Sequence, residues 1–188
     1  MPDGVRGTAG VPPAQATATR AEHAGWRSRG YLPHLDAPDL VQHVVFRLAD
    51  SLPAHFREKI GTIPVTEWVH AIDASLDQGY GRRDLMIPEV ASLVQQALLR
   101  FDGERYSVIA WCVMPNHVHV LVSPLGKHTL SEITQAWKST AAHRVNKLLG
   151  RTGTFWQKES FDHIVRSTDS LEKFRRYIRD NPKNAVAK

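Results

Sequence analysis

The stretch MPNHVHVLVSP, residues 114–124, constrains the fold more than any other. Val118, Val120 and Val122 recur at every second position, with His117 and His119 at the alternate ones. Side chains alternate between the two faces of a strand, so a period of two sets the valines against a core and both imidazoles on the opposite face. The preceding RYSVIAWCVMP is β-branched and aromatic, and Pro115-Asn116 supplies turn chemistry. Residues 105–124 therefore read as a β-hairpin.

The flanking segments supply helices. IPEVASLVQQALLRFDGERY has Pro88 in its first turn and Val90, Val94, Ala97, Leu98 and Phe101 on one face, with Asp102-Gly103 ending it. TLSEITQAWKSTAAHRVNKLLG reads as a helix closed by Gly150. LVQHVVFRLAD (40–50) and FDHIVRS read as strands. REKIGTIPVTEWVHAIDASLDQ reads as helical, with Pro64 near its start. STDSLEKFRRYIRDNP is the last helix, with Ser167, Thr168 and Asp169 as capping candidates and Pro182 as its stop. The order strand, helices, hairpin, helix, strand, helix predicts an α+β fold, an antiparallel sheet with helices mainly on one side. Residues 1–25 are rich in Ala, Gly, Pro and Thr without apolar periodicity and are expected to form a disordered tail, leaving 26–188 as one domain.

Charge divides the chain. Residues 127–188 hold 13 Lys/Arg against 6 Asp/Glu, a net of +7, and residues 1–126 hold 11 against 13, a net of −2. A basic half beside a near-neutral one suits a polyanion, or simply a solvated helical face. The single cysteine, Cys112, excludes a disulfide framework and a cysteine-rich zinc site. With no signal-peptide pattern and no long apolar run, the expected location is cytoplasmic.

Two neutral imidazoles on one strand face can share a metal ion. The pair occurs in the histidine-triad hydrolase pattern, but Leu121 stands where that pattern needs its third histidine. It also occurs in the His-hydrophobe-His motif of enzymes that cut single-stranded DNA with a tyrosine. In EKFRRYIRDNP, Tyr177 and Asn181 are four apart and share a helical face, as a nucleophile and an oxygen ligand would. The structural alternative is a core tyrosine and a helix-ending asparagine.

AWCVMPNHVHVLVSP followed by WQKESFDHIVRSTDSLEKFRRYIRDNP resembles the REP-associated tyrosine transposases, single-tyrosine members of the His-hydrophobe-His (HUH) superfamily. SRGYLPHLDAPDLVQHVVFRLADSLP resembles the N-terminal block of one of their subgroups. The resemblance covers residues 27–185 and implies a ferredoxin-like sheet. It also implies His117 and His119 as metal ligands and Tyr177 as nucleophile, with Asn181 where relatives typically carry glutamine. The chain ends 11 residues after Tyr177, so a longer C-terminal tail of relatives has no counterpart.

The implied activity is a metal-dependent single-stranded DNA nuclease and strand transferase, a transposase acting on hairpin or palindromic DNA through a 5′-phosphotyrosine. The alternative is a domesticated relative that grips hairpin DNA without cutting it. The divalent ion is Mg²⁺ or Mn²⁺: imidazole with amide oxygen suits Mn²⁺, and cellular abundance favours Mg²⁺. The expected partner is single-stranded or hairpin DNA at the nucleoid, with a homodimer or a monomer equally open. Candidate DNA contacts are Arg29, Tyr31, Lys138, Arg144, Lys158, Arg166, Arg175, Arg176 and Arg179. His34, Lys147, His163 and Lys173 are further candidates, and Trp137 or Trp156 would stack bases.

Overall fold

The structure, a computed structural model, describes residues 25–28, 33–36, 39–52, 56, 68–76 and 78–186. The elements in order are β1 (Gly25–Ser28), β2 (Pro33–Asp36), β3 (Gln42–Arg47) and α1 (Trp68–Leu76). A 3-10 turn (Asp84–Met86) leads into α2 (Pro88–Leu99), followed by β4 (Tyr106–Val113) and β5 (His117–Pro124). The chain then forms α3 (Leu130–Leu148), β6 (Phe161–Ile164) and α4 (Thr168–Val186). Strands β1 and β2 form a separate antiparallel ribbon, which the sequence reading missed. Residues 1–24 of the expected tail, Arg29, Tyr31 and Pro64 lie outside the described residues, whereas Gly25 opens β1. No helix among those residues is long and apolar enough to cross a membrane.

The main sheet is antiparallel with the order β4-β5-β3-β6, the ferredoxin-like arrangement expected. Its register places Val44 opposite Val120 and Phe46 opposite Val118. These residues, with Val122, face α2 and α3 in the larger core, which also takes Val90, Val94, Leu98, Trp137, Ala141 and Val145. Each buried Val, Leu or Phe among them contributes about 1.5–3 kcal/mol by leaving water. The other face is covered too. Ile178 of α4 packs with Cys112, Met114 and Leu121, and Ile72 and Leu76 of α1 pack with Val45 and Phe161. The imidazole face of β5 is thus an interior surface.

Local chemistry sets the helix ends. Thr129 and Glu132 form a reciprocal capping box at the start of α3. Ser167 Oγ accepts from the Ser170 amide at the start of α4. Pro182 does not stop α4, contrary to the sequence expectation, because the helix runs on to Val186. Proline removes one amide donor, here the one that would meet the Ile178 carbonyl, but its fixed φ is helical. A bulge in β4 sets Ile109 and Ala110 together against Leu121, turning both toward the α4 face.

One turn requires glycine. Gly81 has φ +76°, and a Cβ there would run into the Asp50 carbonyl. Asp50 also accepts from the Arg82 amide at 3.1 Å, which ties the turn to the end of β3. Gly81→Ala combines a strained φ with a backbone clash and is expected to cost about 2–4 kcal/mol. Urea unfolding of the two proteins checks it, the expected result being a lower midpoint at an unchanged slope.

Candidate functional site

The imidazole face of β5 meets the same face of β3 in register, His117 opposite Arg47, His119 opposite Val45 and Leu121 opposite His43. Strand β6 adds His163 opposite His43. Three histidines, His43, His117 and His119, are therefore gathered under α4 with at most 1 % of their surface exposed.

The His117 ring is oriented by the turn before it. Asn116 Nδ2 donates to the carbonyls of Leu76 and Tyr80, each at 3.2 Å. The amide oxygen is thereby turned to His117 Nδ1 at 2.7 Å, so Nδ1 carries the proton and donates. Nε2 of His117 is left as a lone pair, the form a metal needs. It lies 2.9 Å from His119 Nε2. His43 Nε2 is 3.1 Å from His119 Nδ1, with the two rings near coplanar and their centroids 5.3 Å apart.

Burial holds all three imidazoles neutral. Desolvation, aided by His43, lowers His117 to about 3. Desolvation, then the charge on His117, takes His119 well below 6.5; desolvation, then His119 and His163, does the same to His43.

Helix α4 supplies the remaining groups. Leu171, Phe174, Ile178 and Asn181 form its inward stripe. Asn181 is buried, with its amide nitrogen 3.2 Å from His119 Nε2. The helix-ending role is excluded, since α4 continues past it. Tyr177 sits at the edge of the stripe, its ring 5.5 Å from His119 and 6.4 Å from His43, both edge-on, and is 37 % exposed.

Two ring nitrogens 2.9 Å apart, with an amide 3.2 Å from one of them, are groups that could hold one divalent ion between them. A half-turn of the Asn181 amide would present Oδ1 at the same point. Among the described residues no group of three or more His, Cys, Asp or Glu is arranged to hold a metal, so an ion here would rely on the amide.

The basic candidates are dispersed. Lys138 and Arg144 lie on α3, across the sheet from the histidines, where Lys138 donates to the Lys158 carbonyl at 2.6 Å and Arg144 to Gln96 at 2.8 Å. Lys158 and Arg166 are exposed in the segments flanking β6. Arg175, Arg176 and Arg179 do not surround Tyr177 as expected. They line a groove of about 440 Å³ with Glu172 and the bulge residues Ile109 and Ala110, on the other flank of α4. A spacing of 3.6 residues per turn puts positions 175 and 179 on the side of the buried stripe away from 177. Arg175 pairs with Glu172 at 2.9 Å and Arg179 with Asp180 at 3.2 Å. Trp137 and Trp156 are not base-stacking surfaces, since both are buried against Phe46 in the core.

Comparison with known proteins bears on this arrangement. Residues 82–181 match the family model described as "Transposase IS200 like". The chain belongs to the IS200-like transposase family. The matched span of this IS200-like transposase contains His117, His119, Tyr177 and Asn181, whereas β3 with His43 lies outside it. Its fold is similar to that of a REP-associated tyrosine transposase solved bound to a REP hairpin, with a TM-score of 0.54 and 17 % identity over 84 % of this chain and 73 % of that one. A candidate transposase of Deinococcus radiodurans R1 is similar at a TM-score of 0.43 and 17 % identity, over 82 % of this chain and 95 % of that one. No curated protein matches.

Two residues of the candidate site have no such role in the sequence pattern. Asn116 reads only as a turn residue. His43 sits in QHVVFR, where His43, Val45 and Arg47 share one strand face by the same period of two that marked His117 and His119.

The buried histidines predict acid sensitivity with a definite sign. Their folded pKa values lie below the unfolded 6.5, so below that pH the unfolded chain binds more protons and is favoured. Stability is therefore full above pH 6.5 and falls as pH drops toward 3, by up to about 1.4 kcal/mol per pH unit for each histidine. Urea unfolding at pH 7.5 and 5.0 without added metal checks this, and His117→Gln is expected to shrink the difference.

Proposed function

We propose that this IS200-like transposase is a divalent-metal-dependent strand transferase for single-stranded or hairpin DNA, working through a phosphotyrosine on Tyr177. The observation that carries the reading is the convergence of two distant segments. The α4 pair Tyr177 and Asn181 is brought against the β5 pair His117 and His119, with an Asn181–His119 separation of 3.2 Å.

His117 and His119 would hold the ion through Nε2 and Asn181 through Oδ1, with Mg²⁺ or Mn²⁺ as the candidates. An ion held there would supply polarisation of the scissile phosphate and offset charge in the transition state. Tyr177 presents a half-exposed phenol beside these groups, within reach of a phosphodiester. Its Oη forms a bond to phosphorus as the bond from phosphorus to the 3′ oxygen breaks. Net, the phenol proton passes to the freed 3′ oxygen. The strand 3′ of the cut stays attached through its 5′ phosphate, and the aryl phosphate conserves the bond for rejoining.

The arginines beside the Ile109–Ala110 bulge, with Lys138, Arg144, Lys158 and Arg166, are proposed to hold phosphates outside the cleavage site. The Arg175–Glu172 and Arg179–Asp180 pairs are exposed and worth about 0–1 kcal/mol each, so their exchange for a phosphate costs little.

Incubation with palindromic hairpin DNA and Mn²⁺ is expected to give a denaturant-resistant adduct carrying the strand 3′ of the cut. Tyr177→Phe keeps the ring and is expected to abolish the adduct while binding and melting temperature persist. An adduct surviving in Tyr177→Phe overturns the nucleophile assignment. Tight, steeply salt-dependent binding without any adduct in the wild type favours the non-catalytic hairpin-binding alternative.

A further inference from the structure

We infer that His43 is a positioning residue for the metal site, which sets the ring orientation and tautomer of His119 through the hydrogen bond between His43 Nε2 and His119 Nδ1. The inference rests on the metal-site reading above and goes beyond it, because His43 lies on β3, outside the segment matched to the family.

The argument is a proton count. A neutral imidazole carries one proton, on one nitrogen or the other. Asn116 fixes the proton of His117 on Nδ1, so His117 Nε2 is a lone pair. His119 Nε2 lies 2.9 Å from it, and two lone pairs at that distance repel. Without an ion, His119 therefore carries its proton on Nε2 and donates to His117, with the Asn181 amide turned so that Oδ1 rather than Nδ2 meets that N–H. Its Nδ1 is then an acceptor, matched by an N–H on His43 Nε2 at 3.1 Å. His43 Nδ1 is left as a bare lone pair, and it is a buried atom without a hydrogen-bond partner.

An ion held by both Nε2 atoms reverses this arrangement. His119 Nε2 must become a lone pair, so the proton of His119 moves to Nδ1. A donor at Nδ1 needs an acceptor, and His43 supplies one by moving its own proton from Nε2 to Nδ1. Each histidine keeps one proton throughout. One hydrogen bond changes direction and two tautomers change together. An imidazole can do this in place, because its two ring nitrogens exchange roles without a change of shape. The hydrogen bond to the distal nitrogen of a metal-bound histidine orients the ring and raises its basicity.

Packing holds His43 for this task. Its ring lies edge to edge with His119, with 5° between the planes, and is 4.6 Å from Phe174, with Tyr177 edge-on to it. A purely structural role would be met by any side chain that fills the same space.

The test separates the two roles with the full chain and Mn²⁺ alone. His43→Leu keeps apolar bulk and removes the acceptor, whereas His43→Gln keeps an amide oxygen that can accept from His119. Mn²⁺ affinity, by calorimetry or electron paramagnetic resonance, is expected to fall about 10–100-fold in His43→Leu. His43→Gln is expected to recover most of it. Nitrogen-15 spectra of wild-type imidazoles are expected to show His119 protonated on Nε2 without metal and on Nδ1 with saturating Mg²⁺. Wild-type affinity in His43→Leu, or a His119 tautomer that does not change with Mg²⁺, overturns the inference. Should His43→Leu fail to fold, the wild-type spectra and His43→Gln decide. Failure of the underlying metal site reads differently: wild type and His119→Ala would then bind Mn²⁺ equally, and both readings fall.

Discussion

Strand β5 has to bury both of its faces. Val118, Val120 and Val122 anchor the larger core, and their removal from water is what pins the register of the sheet. A slip of one residue would send the valines toward α4 and the imidazoles into the hydrocarbon core. The site therefore inherits its precision from packing on the opposite side of the strand. Rigid strands position side chains better than loops do, and here the two nitrogens that matter are separated by a single intervening residue on one strand.

The closed face brings a cost that the site exploits. Covering His43, His117 and His119 with α4 strips them of water and keeps them uncharged, which is the state that binds a metal. The Asn116 amide, clamped by the Leu76 and Tyr80 carbonyls, then makes one tautomer of His117 the only satisfied one. The same clamp links the site to α1 and to the Gly81 turn, elements with no chemistry of their own.

Helix α4 joins the two halves of the site. Its stripe of Leu171, Phe174 and Ile178 seats it on the sheet, and the fourth member of the stripe is the polar Asn181 at the histidines. Tyr177 lies one flank over, half in solvent, where a large partner can reach it. The arginines of the same helix fall on the far flank. Three arginines of α4 and the exposed tyrosine are therefore separated by the width of a helix.

The period-two pattern of β5, the hairpin, the capped helices and the shared face of Tyr177 and Asn181 are all local. The sequence by itself determined them, because side-chain alternation and helical spacing need only neighbours along the chain. The resemblance carried by two separated segments also paired His117 and His119 with Tyr177 and Asn181, which the fold brings close. Three things were decided only by tertiary structure. His43 belongs to the site because β3 pairs with β5 in one register among several. Asn116 acts as a clamp because two carbonyls from distant turns arrive at its amide. The basic residues, uniform as a charge count, divide between the two faces of the sheet and the two flanks of α4. Composition records how much charge there is, but only the packing of helices on a sheet decides which way each side chain points. The same holds for Pro182, whose local preference to end a helix is overridden where α4 continues to Val186.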